Sequence, residues 1–153
     1  MSMLDIIRCN EHPIERAIAL ANGAHANQVD KQGKPYILHC LRVMLAGQGE
    51  TEQIVGCLHD VLEDTSYTSQ DLLHLGFSEE IVAAVVAITH TKWQGNTAYY
   101  DQVKANALAL AVKRHDIDDN CNRLDSITDV AVRHRLTQKY AYARKVLFGE
   151  GDE

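Results

Sequence analysis

The sequence is poor in the features that would take a chain out of the ordinary globular class. Only 2 of its 153 residues are proline and 9 are glycine, too few for a collagen-like or low-complexity chain. No apolar run approaches the ~18 residues needed to span a bilayer, and the N-terminus has no signal-peptide core. Excess positive charge is also missing. Lys and Arg total 15 against 21 Asp and Glu, and a net charge of -6 argues against a sequence-independent grip on nucleic-acid backbones. A phosphorylated ligand would instead meet a local basic patch or a metal ion. The 4 cysteines (Cys9, Cys40, Cys57, Cys121) lack CxxC spacing and read as reduced, mostly buried thiols of a cytoplasmic protein. Strand-like alternation is absent too.

What remains is helical periodicity, and the expectation is one all-α domain over residues 1–153, with 149–153 a disordered tail. Leu4, Ile6 and Ile7 form a short apolar element near the N-terminus. Pro13 suits the first turn of a helix, which carries Ile14, Ala17, Ile18 and Ala21 on one face and runs to about Ala26. A polar loop, 27–35, precedes a second helix, 36–45, that is apolar except for His39 and Arg42. Thr51 is expected to cap a third helix, Thr68 a short one ended by Gly76, and Ser78 a core helix burying Ile81, Val82, Val85, Val86 and Ile88. Residues 89–97 read as a loop, 99–104 and 107–114 as helical. A last amphipathic helix, 130–148, turns Leu136, Tyr140, Ala143 and Leu147 inward.

The third helix carries the chemistry. His59, Asp60, Glu63 and Asp64 fall within six positions, and at helical spacing Glu63 shares a face with His59 and Asp64 with Asp60. A solvated helix end is the bland alternative. Ile54, Val55, Cys57, Leu58, Val61 and Leu62 surround the cluster, however, and make the helix amphipathic. So many carboxylates beside an imidazole then call for a cation, and imidazole with carboxylate suits first-row divalent metals. His39, otherwise a candidate for a satisfied core histidine, becomes a further ligand. Asp116 is a remote one, because the acidic stretch around it lacks the glycine and terminal Glu of a calcium loop. Lys92 and Trp93 could meet a nucleotide at a site mouth, although a solvated loop is the commoner outcome.

With these residues assembled, the sequence resembles the HD-domain alarmone hydrolases, the hydrolase half of RelA/SpoT enzymes and their stand-alone relatives. Three ordered blocks carry the likeness: Ala24-His25-x-x-Gln28 with Gly33-x-Pro35-Tyr36-Ile37-x-His39; Leu58-His59-Asp60-x-x-Glu63-Asp64-Thr65; and Val112-Lys113-x-x-Asp116-x-x-x-Asn120. The length leaves no room for the family's synthetase domain, so a stand-alone hydrolase is expected. The resemblance implies an HD-domain metal-dependent phosphohydrolase helical bundle. It implies one Mn²⁺ held by His39, His59, Asp60 and Asp116, with Glu63 and Asp64 orienting and deprotonating the attacking water. It also implies that Lys31 and Asn120 face a nucleotide whose 3′-pyrophosphate is removed, as in (p)ppGpp. Cys40 stands where the family usually has Pro, and His115 where it has Ala. Asp30 stands where a base-stacking Arg is usual, which implies relaxed recognition with adenine accepted alongside guanine, unless Lys31 or Arg123 replaces the missing guanidinium.

Two other functions fit the same residues. One keeps the metal site but acts on NADPH or another nucleotide as a phosphatase. The other is a degenerate nucleotide-sensing module, which would have no use for Glu63 and Asp64. The expected partner is a small nucleotide, with no nucleic acid and no membrane; the sequence sets no oligomeric state.

Overall fold

The computed structural model describes residues 2, 5 and 12–151. The expected apolar element at Leu4, Ile6 and Ile7 and the last two residues of the chain lie outside them. Among the described residues the regular structure is helical: α1 (Pro13–Ala24), α2 (Ile37–Ala46), α3 (Glu50–Leu58), α4 (Val61–Asp64), α5 (Ser69–His74), α6 (Glu79–Ile88), α7 (Asn96–Lys104), α8 (Ala107–Asn122) and α9 (Val130–Phe148), with a 3₁₀ turn at Leu124–Ser126. One isolated antiparallel bridge, Val29 to Pro35, closes the loop before α2. No described helix is long and apolar enough to cross a membrane.

The helix ends follow local chemistry. Thr68 and Asp71 form a reciprocal capping box on α5, and Ser78, Asn106 and Asp129 each accept from the backbone amide three residues on. Several expected boundaries move. The first helix stops at Ala24, with His25 as its cap and Asn27 in the left-handed region. The third begins at Glu50, capped by Gly49 rather than Thr51. Gly49 has a φ of 91°, which side chains rarely tolerate, and so fixes the turn there. Val86 is 45% exposed rather than in the core. At the C-terminal end, Gly149 caps α9 in the left-handed conformation, and Glu150 accepts from Arg114 at 2.6 Å.

Two apolar clusters organise the packing. The larger draws on α1–α6 and on Ala109 and Val112 of α8. The smaller joins Tyr99, Tyr100 and Val103 of α7, Ile117 of α8, and Ala143 and Leu147 of α9. The α8 helix therefore serves both, and Asp116 sits on it where they meet. At the crossing of α2 and α3, a Cβ on Gly56 would lie 3.1 Å from the Val43 carbonyl and 3.2 Å from the Met44 Cα. The absent side chain lets the two backbones approach, which brings the His39 and His59 segments together.

Candidate metal and phosphate-chemistry site

The helix bearing the acidic motif is interrupted in the middle of it. His59 caps α3, Asp60 has φ -103° and ψ 0°, and α4 is a single turn. The face-sharing expected of a continuous helix therefore survives only in part. Asp60, Glu63 and Asp64 bring carboxylate oxygens within 4.8 Å of one another. Glu63 instead turns to the backbone amide of His90, which donates to it at 2.8 Å. His59 is buried below.

Three segments converge here. His39 Nε2 lies 3.2 Å from His59 Nε2 and 3.0 Å from Asp116 Oδ1, while His59 Nε2 lies 3.0 Å from Asp60 Oδ2 and 3.4 Å from Asp116 Oδ1. The other face of each imidazole fixes its tautomer. His59 Nδ1 is 2.6 Å from the Gly56 carbonyl, which can only accept, so Nδ1 carries the proton. His39 Nδ1 is 2.7 Å from Asp119 Oδ2, whose other oxygen accepts from Arg42 at 2.7 Å. Both Nε2 lone pairs thus point at each other and at carboxylate oxygens. Acceptors facing acceptors in a buried space demand a cation, and two imidazoles with two carboxylates form a donor set for a divalent metal.

The electrostatics state the same demand. Burial opposes a charged His59, yet the Asp60 carboxylate and the bond to Asp116 overcome it and hold its pKa well above the usual imidazole value. Burial would also raise Asp60, but His59 draws it down to about 2. Asp116 is held well below the usual range despite burial, chiefly by Lys113, whose ammonium is 3.0 Å away. Asp64 goes the other way: partial burial and the negative charge of Asp60 and Glu63 push it up to about 6. A carboxylate so perturbed beside the ligand cluster is suited to accept a proton near neutral pH.

Above this floor opens a cavity of about 520 Å³, lined by the expected residues Lys31, Asn120 and Arg123 as well as the cluster. Asn120 donates to Asp116 Oδ1 at 3.1 Å. Lys92 does not line the cavity; it is exposed, with its ammonium 5.1 Å from the ring of Trp93. Asp30 faces neither solvent nor a base. It accepts from the amides of Gln32 and Lys34 and from the Arg123 guanidinium, which also donates to Gln32. Several contributors escaped sequence reasoning. Asp119 orients His39, the Tyr36 hydroxyl donates to Asp60, and Lys113 and Lys139 add positive charge to the cavity wall. Of these, only Lys113 had a sequence signal, its helical spacing from Asp116.

Relatives share this arrangement of sequence and fold. No family model matches the chain. It is 36% identical over 80 residues, half of its own length, to a guanosine-3′,5′-bis(diphosphate) 3′-pyrophosphohydrolase of Aquifex aeolicus, and covers 11% of that protein. It is 33% identical over 124 residues to a GTP pyrophosphokinase of Streptomyces coelicolor, covering 71% of this chain and 14% of the relative. The chain thus spans well under a fifth of the length of these relatives. Among solved structures, that of a metazoan ortholog of SpoT that hydrolyzes ppGpp superposes with a TM-score of 0.74 at 25% identity. The match covers 92% of this chain and 88% of that one. With the His-Asp cluster at the centre of a helical fold common to both, the chain belongs to the HD-domain alarmone hydrolase family.

Proposed function

We propose that the protein hydrolyses the 3′-pyrophosphate of (p)ppGpp-like nucleotides, releasing pyrophosphate and GDP or GTP, with Mn²⁺ as its ion. The observation that carries this reading is the convergence of two proton-free Nε2 atoms and two carboxylates beneath a cavity walled by lysine and arginine. His39, His59, Asp60 and Asp116 would hold the ion. Bound there, a divalent ion lowers the pKa of water and offsets charge on phosphoryl oxygens. The chain's own groups supply the rest. Asp64 takes the proton of the attacking water. Glu63, fixed by the His90 amide, orients that water. Lys113 stays paired with Asp116 and keeps it ionised, while Asn120 braces the same carboxylate. Lys31 and Arg123 meet the nucleotide at the mouth.

A small nucleotide substrate and free thiols at Cys40, Cys57 and Cys121 support a cytoplasmic location. The test is direct: the Mn²⁺-loaded protein is given guanosine and adenosine 3′-pyrophosphates, NADPH and simple nucleotides, and the products are resolved. Pyrophosphate release from the 3′-pyrophosphates supports the reading. Orthophosphate from NADPH alone replaces it with the phosphatase, and binding without turnover replaces it with a sensor.

A further inference from the structure

Next to the metal cavity, on the outer side of Arg123, lies a second groove of about 590 Å³. Four of its lining side chains are cationic (Lys31, Lys34, Arg42 and Arg123), Ser126 and Thr128 add hydroxyls, and no Asp or Glu lines it. On a chain of net charge -6 this is a marked local inversion. The two arginines are already anchored from behind, Arg123 by Asp30 and Arg42 by Asp119. Neither Lys31 nor Lys34 forms an ion pair among the described residues. Arg42 Nη2 is a buried donor with no acceptor. An exposed Leu38 supplies the one apolar wall. Anchored guanidiniums, unpaired ammoniums, hydroxyls and a donor lacking its acceptor together make a site for phosphate oxygens.

We propose that this groove is a second anion site, distinct from the metal cavity, which takes the phosphate of a small phosphorylated molecule and communicates with the metal ligand His39. The partition is the Arg123 clamp. Its guanidinium is held by Asp30 and Gln32, and its carbonyl accepts from Gln32 Nε2 at 3.1 Å. The connection is short. Arg42 Nε donates to Asp119 Oδ1 at 2.7 Å, and Asp119 Oδ2 faces His39 Nδ1 at 2.7 Å. A phosphate in the groove draws the Arg42 charge toward itself and leaves more of the Asp119 charge for the imidazole. The electron density at His39 Nε2 then depends on whether the groove is filled.

The experiment is a titration of the full chain with inorganic phosphate, followed by ¹H–¹⁵N spectra. The protein is loaded with diamagnetic Zn²⁺, since Mn²⁺ broadens nearby signals. The Lys34, Ser126 and Thr128 amides and the His39 imidazole should shift together, with one dissociation constant. Lys34→Glu should weaken that constant by at least about tenfold, the scale of a lost charge-assisted contact. It should leave the shifts of cavity residues such as Tyr99 untouched, and phosphate-free turnover unchanged. Lys139→Met, on the cavity wall, should leave the groove titration intact. Unmoved groove amides, or an unchanged constant in Lys34→Glu, overturn the site. Loss of the groove titration in Lys139→Met makes the groove an outer part of the cavity and overturns its independence. Groove shifts without a His39 shift overturn the communication.

Discussion

Removing the carboxylate of Asp119 should weaken metal binding without touching a ligand. In the fold it has two partners, His39 Nδ1 and Arg42 Nε, each at 2.7 Å, and its side chain is only 11% exposed. Asp119→Ala leaves the imidazole proton without its acceptor, frees the ring to turn and lets the tautomer exchange. It also releases a guanidinium beside a site that must accept a cation. Loss of such a partner behind a metal-bound histidine costs about 10–100-fold in affinity or activity, which corresponds to roughly 1.4–2.7 kcal/mol. Asp119→Asn keeps an acceptor for Nδ1–H and gives up the charge, so it should lose less than the alanine variant. The assay is competition for Mn²⁺ against a chromogenic chelator, with kcat/KM at saturating Mn²⁺ alongside. Wild-type affinity in Asp119→Ala would refute the reasoning, because His39 would then be held by packing alone or would not be a ligand.

Other outcomes follow from the same geometry. His59→Ala and Asp116→Ala should each abolish tight Mn²⁺ binding and turnover, and stoichiometric metal retained by either would remove that residue from the ligand set. Glu63→Gln should keep the metal and lose most of the rate; a metal-free protein would make Glu63 a ligand instead. With Asp64 pushed up to about 6, its deprotonated form fails as pH falls through that value. A bound cation draws the titration lower still. The acid limb of kcat/KM should therefore lie at or below pH ~6 and vanish in Asp64→Asn, whereas a limb near 8 would point to another base. Arg123, tied to Asp30, offers a guanidinium that stacks on either purine, worth roughly 0.5–2 kcal/mol. The kcat/KM values for guanosine and adenosine 3′-pyrophosphates should thus stay within about a hundredfold, some 2.7 kcal/mol at 1.36 per decade, and a larger gap would refute relaxed recognition.

Legibility in the sequence tracked the range of the interactions. The capping of α5 by Thr68 and of α6 by Ser78 and the full extent of α9 were readable, because caps and apolar periodicity act within a turn or two. The convergence of His39, His59, Asp60 and Asp116 was readable because a dense set of acidic and imidazole groups is costly without a shared cation. The break at His59 and Asp60 was not: no glycine or proline marks it, and buried side chains on either side dictate it. Asp30 could be seen as a negative charge, but its partner Arg123 is 93 residues away and only the fold joins them. Asp119 was placed on the right helix face without a task, since nothing local tells which histidine it meets. Lys92 shows the converse. A loop lysine near a site in sequence ends on the outer surface, because loop direction is set by the elements it connects.

The glycine at the crossing of α2 and α3 gives the protein an unusual stability landscape. In an isolated helix, replacing Gly56 with alanine would gain about 1 kcal/mol from propensity and backbone entropy alone. Here the new methyl would press within 3.1–3.2 Å of the Val43 carbonyl and the Met44 backbone, atoms that cannot swing aside as a side-chain tip can. Relief requires the helices to part, and their separation also sets the spacing of the imidazoles at 3.2 Å. Engineering for heat resistance by the usual rule of filling helical glycines would therefore harden the scaffold at the expense of its ion. The position at which thermal selection and catalytic selection pull hardest in opposite directions is one that carries no functional group at all.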